Sequence, residues 1–248
     1  MVADLYDASP NALLSIADVS RSFVSQVETV WAVREVSLTA HAGQFVCIYG
    51  SSGSGKTTLV SLLAGLDVAD SGLISIGGLD VGSLDETGRA RFRLETVGVV
   101  FQGDNLIDEF SAVENVALPL EVRGIAAAQA YAEARSQLSR VGLARLEDRL
   151  PGQLSGGQRQ RVGVARALAG DRRILLADEP TGALDSTNSR ELFELVRGLC
   201  SQGTLAIVCS HDIMCQEFAD TVYEMVDGRL HPRACKRPEP DEVASWPR

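Results

Sequence analysis

The sequence predicts an α/β fold: a core of buried strands and helices, an antiparallel β subdomain beside it, and an inserted α-helical subdomain. Three observations carry this prediction. The apolar run Phe45-Val46-Cys47-Ile48-Tyr49 enters Gly50-Ser51-Ser52-Gly53-Ser54-Gly55-Lys56-Thr57, and the helical pattern Thr58-Leu59-Val60-Ser61-Leu62-Leu63 follows. That is the strand, glycine-rich turn and helix of a phosphate-binding P-loop. Buried-strand runs recur at Arg173–Asp178 and Thr204–Cys209, separated by a helical stretch through Leu199. Residues 103–150 change character, and Ala126–Val141 is an Ala-rich helix former with Glu133 and Arg135 interspersed.

Length and charge set the outer bounds. The chain has 248 residues, with Lys+Arg 23 against Asp+Glu 33 and a net charge of -10, enough for one α/β unit with a small insertion. The acidic balance argues against a general nucleic-acid or anionic-membrane binder. Five cysteines (Cys47, Cys200, Cys209, Cys215 and Cys235) form no C-x-x-C pair and sit mostly in apolar stretches, so buried thiols in a reducing compartment are expected. The start, Met1-Val2-Ala3-Asp4-Leu5-Tyr6-Asp7, is acidic and unlike a signal peptide. No apolar run reaches the ~18 residues of a membrane helix. A cytosolic protein is expected, with any membrane role borrowed from a partner.

Residues 1–11 read as a loose leader. Alternation from Leu13 through Val19 predicts a strand, and Val30 to Leu38 a second one closing on the turn at Ala42-Gly43. Between them, Phe23 could stack on an adenine through its flat π-face, or serve as a half-buried strand residue. Trp31 is a second candidate, expected to pack between strands. Ser71–Gly78 predicts a hairpin strand ending in a Gly-Gly turn, which gives the antiparallel layer. Val97–Gln102 is a buried strand whose polar end places Gln102 to meet a metal ion or attacking water. Pro119 and Gly124 punctuate the approach to the Ala-rich helix. Leu154-Ser155-Gly156-Gly157-Gln158 opens another helix, with Ser155 as its N-cap.

The chemistry follows from the glycine-rich turn and two strand ends. Inward-pointing N–H groups and the new helix's positive end attract phosphate. Lys56 adds a full charge for the β- and γ-phosphates, and the Thr57 hydroxyl can ligate Mg²⁺. The run Ile174-Leu175-Leu176-Ala177 delivers Asp178 and Glu179 together, the first suited to Mg²⁺ and the second to orienting a water. Structural strands rarely end in such a pair, because burying charge is costly. His211 follows the next strand, where a γ-phosphate sensor would stand; His41 and His231 lie in turn-like or tail contexts. The Ser-Gly-Gly helix start is a second anion site that one ATP does not need from one chain, which hints at sharing between two chains. The polar, proline-rich stretch 231–248 is expected to be a disordered tail.

Taken in order, the P-loop, Gln102, Leu154–Gln158, Ile174–Glu179, Asp185 and His211 resemble the ATPase subunit of an ABC transporter, over residues 13–230 with the helical subdomain inserted at about 103–160. The resemblance implies a P-loop NTPase (RecA-like) core that binds ATP and Mg²⁺ and dimerises head-to-tail. ATP bound by Gly50, Ser51, Ser52, Gly53, Ser54, Gly55, Lys56, Thr57 and Thr58 of one subunit would be covered by Ser155, Gly156, Gly157 and Gln158 of the other. Phe23 would take the place of the family's adenine-stacking aromatic, usually Tyr. Glu179 would be the general base, Asp178, Thr57 and Gln102 would serve Mg²⁺ or its waters, His211 would contact the γ-phosphate, and Asp185 would carry signals across the dimer. Ala177–Asp185, Glu114-Asn115-Val116 and Leu118-Pro119-Leu120 are similar to the macrolide-export, lipoprotein-release and cell-division branch. Gly163 and Ser210 depart from the usual Ala or Ser and Thr, outside the catalytic set.

The function this implies is an ATP hydrolase at the inner face of the cell membrane, powering a separately encoded permease, with export favoured and no nucleic-acid partner. Residues Gln102–Phe110 are its expected coupling surface. A cell-division type of mechanotransmission ATPase is the near alternative. A soluble DNA-maintenance ATPase would carry a long coiled coil or paired cysteines, which this chain lacks. A purely regulatory module would need a damaged catalytic set, and Lys56, Asp178, Glu179 and His211 are all present.

Overall fold

The computed structural model describes residues 12–24 and 28–234. Two long strands come first, β1 (Ala12–Val24) and β2 (Thr29–His41). β3 (Phe45–Tyr49) leads through the glycine-rich loop into α1 (Lys56–Leu63). β4 (Ser71–Ile76) and β5 (Leu79–Asp80) form a hairpin, and α2 (Glu86–Glu95) precedes β6 (Val97–Val100). The inserted segment holds α3 (Ala112–Val122) and α4 (Ala127–Arg140), followed by α5 (Gly156–Leu168). The core resumes with β7 (Ile174–Asp178), α6 (Ser186–Ser201), β8 (Leu205–Ser210), the short α7 (Cys215–Phe218), β9 (Thr221–Val226) and β10 (Arg229–Arg233).

These strands make two sheets. One has four antiparallel strands in the order β2-β1-β4-β5, the antiparallel layer expected from the sequence. Its alternation sets the buried face: Leu14 stands between Ala40 and Ile76, and Ile16 between Leu38 and Ile74, all buried. The other sheet runs β10-β9-β3-β8-β7-β6 and is parallel apart from the β9–β10 hairpin. Both its faces are covered, so its central strands read as unbroken apolar runs. Val46 and Ile48 point to the side of α1 and the four-stranded sheet, whereas Phe45 and Cys47 point to the side of α5, α6 and the inserted helices.

The structure corrects several boundaries. Arg21–Val24 continues β1 rather than separating two strands, because it pairs with Val33 to Thr29 on β2. Pro119 lies ahead of the Ala-rich α4, as expected, but inside α3, a helix the sequence did not mark. An interior proline costs roughly 3 kcal/mol; here the Ser111–Glu114 capping box and complete burial of Val116, Ala117 and Leu120 offset it. The expected tail at 231 also moves outward, since β10 extends to Arg233. The rest of that tail, the leader and Cys235 lie outside the described residues. The four described cysteines are buried and unpaired, and burial raises the thiols of Cys200, to about 12, and of Cys209 and Cys215.

One close approach fixes how α5 meets the sheet. A β-carbon on Gly98 of β6 would run into the backbone of Ala167 near the end of α5. Neither backbone can give way cheaply, so Gly98→Ala is expected to destabilise the fold by about 1–3 kcal/mol or more. Chemical denaturation should show the midpoint fall at unchanged slope.

Candidate active site

β3, β7 and β8 are neighbours in the six-stranded sheet, and their carboxyl ends deliver the site together. After β3 the chain folds back on itself before α1 begins at Lys56. Gly55 makes that turn possible: its φ is 108°, and a β-carbon there would strike the Ala32 carbonyl of β2. Loop and β2 therefore touch backbone to backbone.

Lys56 is 5% exposed. Its ammonium donates to the carbonyls of Gly50 at 2.8 Å and Ser51 at 2.9 Å, and pairs with Glu179 Oε1 at 3.1 Å. The buried cation thus rests at the mouth of a helix N-terminus, where positive potential is already concentrated.

β7 places Asp178 beside it. The Thr57 hydroxyl donates to the Asp178 carboxylate, yet Oδ1 is buried with no hydrogen-bond partner among the described residues. Burial, joined by the charge of Glu179, lifts this carboxyl above its ordinary range, while the Thr57 hydrogen bond and Lys56 pull it back. An unsatisfied buried carboxylate oxygen beside a hydroxyl is a hard, oxygen-rich donor set of the kind Mg²⁺ takes.

Glu179 sits just past the strand with φ at 50°, held by its N–H donating to Cys209 O at 2.9 Å. Its second oxygen, Oε2, accepts from the His211 backbone N–H at 3.1 Å and meets the His211 Nδ1 at 2.8 Å. A carboxylate only accepts, so Nδ1 is the nitrogen that carries the proton. One carboxylate therefore joins the ends of β7 and β8 to the P-loop lysine.

These groups border a cavity of about 370 Å³ lined by Ser52, Gly53, Gly55–Thr58, Gln102, Glu179 and His211, together with Val30, Trp31 and Ala32 of β2. A cationic, N–H-rich floor facing the Glu179 carboxylate, with Asp178 close by on the Thr57 hydroxyl, can hold a polyphosphate with a cation and place a water against a base.

Residues 33–182 match the ABC transporter family. The macrolide export ATP-binding/permease protein of Rhodospirillum rubrum is 44% identical over 222 residues, 90% of this chain and 34% of that protein. The pyoverdine export ATP-binding/permease protein of Pseudomonas aeruginosa is 43% identical, over 89% of this chain and 34% of that protein. An ATP-binding cassette solved as a dimer in a post-hydrolysis state with ADP and Pi is 33% identical, covering 90% of this chain and 99% of that one, with a TM-score of 0.81.

The chain belongs to the ABC transporter family.

It spans about a third of the length of the curated relatives it matches. No helix among its described residues is long and apolar enough to cross a membrane. Within this ABC transporter cassette, most of the P-loop residues converge with Gln102, Asp178, Glu179 and His211. Gln102 lies against Gly182, where a β-carbon would come within 2.8 Å of its amide.

Ser155–Gln158, the second anion site, do not join them. Ser155 caps α5, its hydroxyl accepting from the Gln158 N–H at 3.3 Å, while Gln158 Oε1 accepts from the Ser155 N–H at 2.9 Å. None of Ser155–Gln158 lines the cavity. Asp185 is likewise apart, capping α6 through the Asn188 N–H at 2.8 Å, a bond that holds its carboxyl below the usual range.

Phe23 also lies outside the cavity lining. It pairs with Val30 across β1 and β2, is 47% exposed, and has the Arg21 guanidinium 5.0 Å from its ring centre. Trp31 is on the cavity wall instead, 45% exposed rather than packed between strands. Sequence reasoning also missed Val30 and Ala32 as wall residues. They reach the cavity because β2 packs backbone to backbone against Gly55, a tertiary contact that periodicity does not reveal. The loop after Gln102 is tied to α5, with Asp104 accepting from Arg159 Nε at 2.8 Å and the Asp104 and Asn105 carbonyls accepting from Arg166.

Proposed function

We propose that this cassette hydrolyses ATP and so drives a membrane permease, in an export system. One observation carries the reading: a P-loop lysine and a histidine-held glutamate line a single cavity, with an orphaned metal-type carboxylate beside them on the Thr57 hydroxyl. Gly50–Thr58 bind the phosphates through N–H groups and Lys56. Asp178 and Thr57 would hold Mg²⁺, with Gln102 beside them, and the cation would neutralise charge on the transferring phosphate when bound.

Glu179 is the general base for water, and His211 positions it by holding Oε2. Ser155, Gly156 and Gly157 are spare donors here, already folded as a helix start but remote from their own chain's cavity. A second copy placed head-to-tail would present them to the nucleotide, with Asp185 near the junction. The names of the relatives join ATP binding to a permease for macrolide or pyoverdine export, which supports the export assignment.

The test is to tag the protein in its native cells and to assay the detergent-solubilised preparation. An integral membrane protein should come down with it, and that complex should release phosphate from ATP. Robust turnover with no membrane partner, or stimulation by DNA, would sink the permease reading.

A further inference from the structure

A second cavity, of about 240 Å³, lies where Arg173 enters β7 and Thr204 enters β8. The nucleotide cavity stands at the opposite ends of the same two strands, about 15–20 Å away at the rise of an extended chain. Arg140, Leu168 and Gln202, at the ends of α4, α5 and α6, complete the wall.

Helix ends of this kind present unpaired carbonyls and a negative dipole. Here those carbonyls are largely taken. Gln202 and Gly203 donate their N–H groups to Leu199 and Cys200, and Val141 donates to Gln137. Arg172 spends Nε, Nη1 and Nη2 on the carbonyls of Ala169, Arg93 and Arg166.

Donors are what remain. Arg140 donates to Gln137 Oε1 at 2.9 Å and to Gln202 Oε1 at 3.2 Å. A guanidinium cannot accept, so both amides turn their oxygens toward it, and their N–H groups find no acceptor among the described residues. The Thr204 hydroxyl likewise has no partner there, although Thr204 is only 6% exposed and Gln137 only 8%. Donors buried in this way cost stability until something accepts from them. Arg140, Arg172 and Arg173 form no ion pair among the described residues, and Asp171 is the carboxylate on this wall. Burial, then the nearby Arg123 and Arg166, lower the Arg172 guanidinium to about 10, with Glu133 opposing them. In a chain of net charge -10, the sign is locally reversed.

We infer that this cavity binds a phosphate group, either as the free ion or on a small phosphate monoester. Its volume falls below the roughly 300–1,000 Å³ of drug-sized sites, which excludes a whole nucleotide. Phosphate oxygens accept from several directions at once, as donors on α4, on α6 and at the starts of β7 and β8 require, and guanidinium forks match them.

The experiment follows the arginine Nε–Hε signals of the full chain by NMR, with inorganic phosphate or glycerol 3-phosphate replacing chloride at constant ionic strength. The signals of Arg140 and Arg173 should move together along one saturation curve. Arg173→Gln should weaken the curve read at Arg140 about tenfold, and Arg140→Lys, which keeps the charge but loses the fork, should do the same to the curve read at Arg173. The Arg173 side chain makes no hydrogen bond among the described residues, so Arg173→Gln should leave the melting temperature unchanged. Lys56→Ala, which disables the P-loop, should leave both curves in place. Equal affinity for the two probes assigns the free ion, and tenfold tighter binding of the ester assigns a carried phosphate; both uphold the site. The inference is overturned if the two signals stay still, if Arg173→Gln binds phosphate as the parent does, or if Lys56→Ala abolishes the response.

Discussion

Replacing Glu179 by Gln should lower ATP turnover by about 10²–10⁴-fold, the range for loss of a positioned general base. The same change should not weaken nucleotide binding. In the resting structure Lys56 is held by Glu179 Oε1 as well as by two carbonyls, so incoming phosphate has to draw the ammonium away from a carboxylate. Gln keeps the size of the side chain but removes that charge, and Lys56 retains its carbonyl partners. Phosphate release and equilibrium ATP binding measured on one preparation separate the two effects. Parallel loss of binding and turnover would instead mean that Glu179 supports the loop rather than the chemistry. His211→Ala should lie between the parent and Glu179→Gln, since it frees Oε2 without deleting the base.

The second large effect is expected at Asp178. Asp178→Asn should cost several kcal/mol of transition-state stabilisation, about 10²–10³-fold in rate, by removing the charge that would hold Mg²⁺. It should at the same time raise the melting temperature of the nucleotide-free protein. Burial holds the carboxyl above its ordinary range, so the folded state binds its proton more tightly than the unfolded chain does. Ionisation therefore penalises folding above the raised value. The penalty fades as pH falls back through the interval to the ordinary aspartate value, and vanishes below that. The stability gain of Asn should follow the same course, present at neutral pH and absent in acid. Melting curves at several pH values check the sign: a gain that grows on acidification would contradict this electrostatic account.

Much of this was legible in the sequence because local physics dictated it. The Gly50–Thr57 loop needs only a strand before it and a helix after it, and Asp178 and Glu179 advertise themselves by ending a buried run. The Ala-rich α4 fell within a residue of its predicted ends. What stayed hidden depended on tertiary contact. Pro119 reads as a breaker until α3 is seen buried on the core. The packing of β2 on the P-loop at Gly55, a contact distant in sequence, puts Trp31 on the cavity wall, and Phe23 is not part of that wall. The histidine at the end of β8 was legible as a candidate, whereas its grip on Glu179 was not, since a bond between residues 32 positions apart has no periodic signature.

The backbone at Glu179 has a bearing on how such proteins could be selected. A glutamate at φ 50° occupies a region that glycine enters without steric penalty. Next to it lies a carboxylate whose ionised form weakens the empty fold. A laboratory lineage chosen only for surviving heat would be drawn toward glycine at the first position and an uncharged residue at the second, and would arrive at a sturdier chain with nothing left to hydrolyse. Keeping both residues is the mark of a lineage judged on work done, and any stabilised variant of this cassette is best built by leaving 178 and 179 untouched.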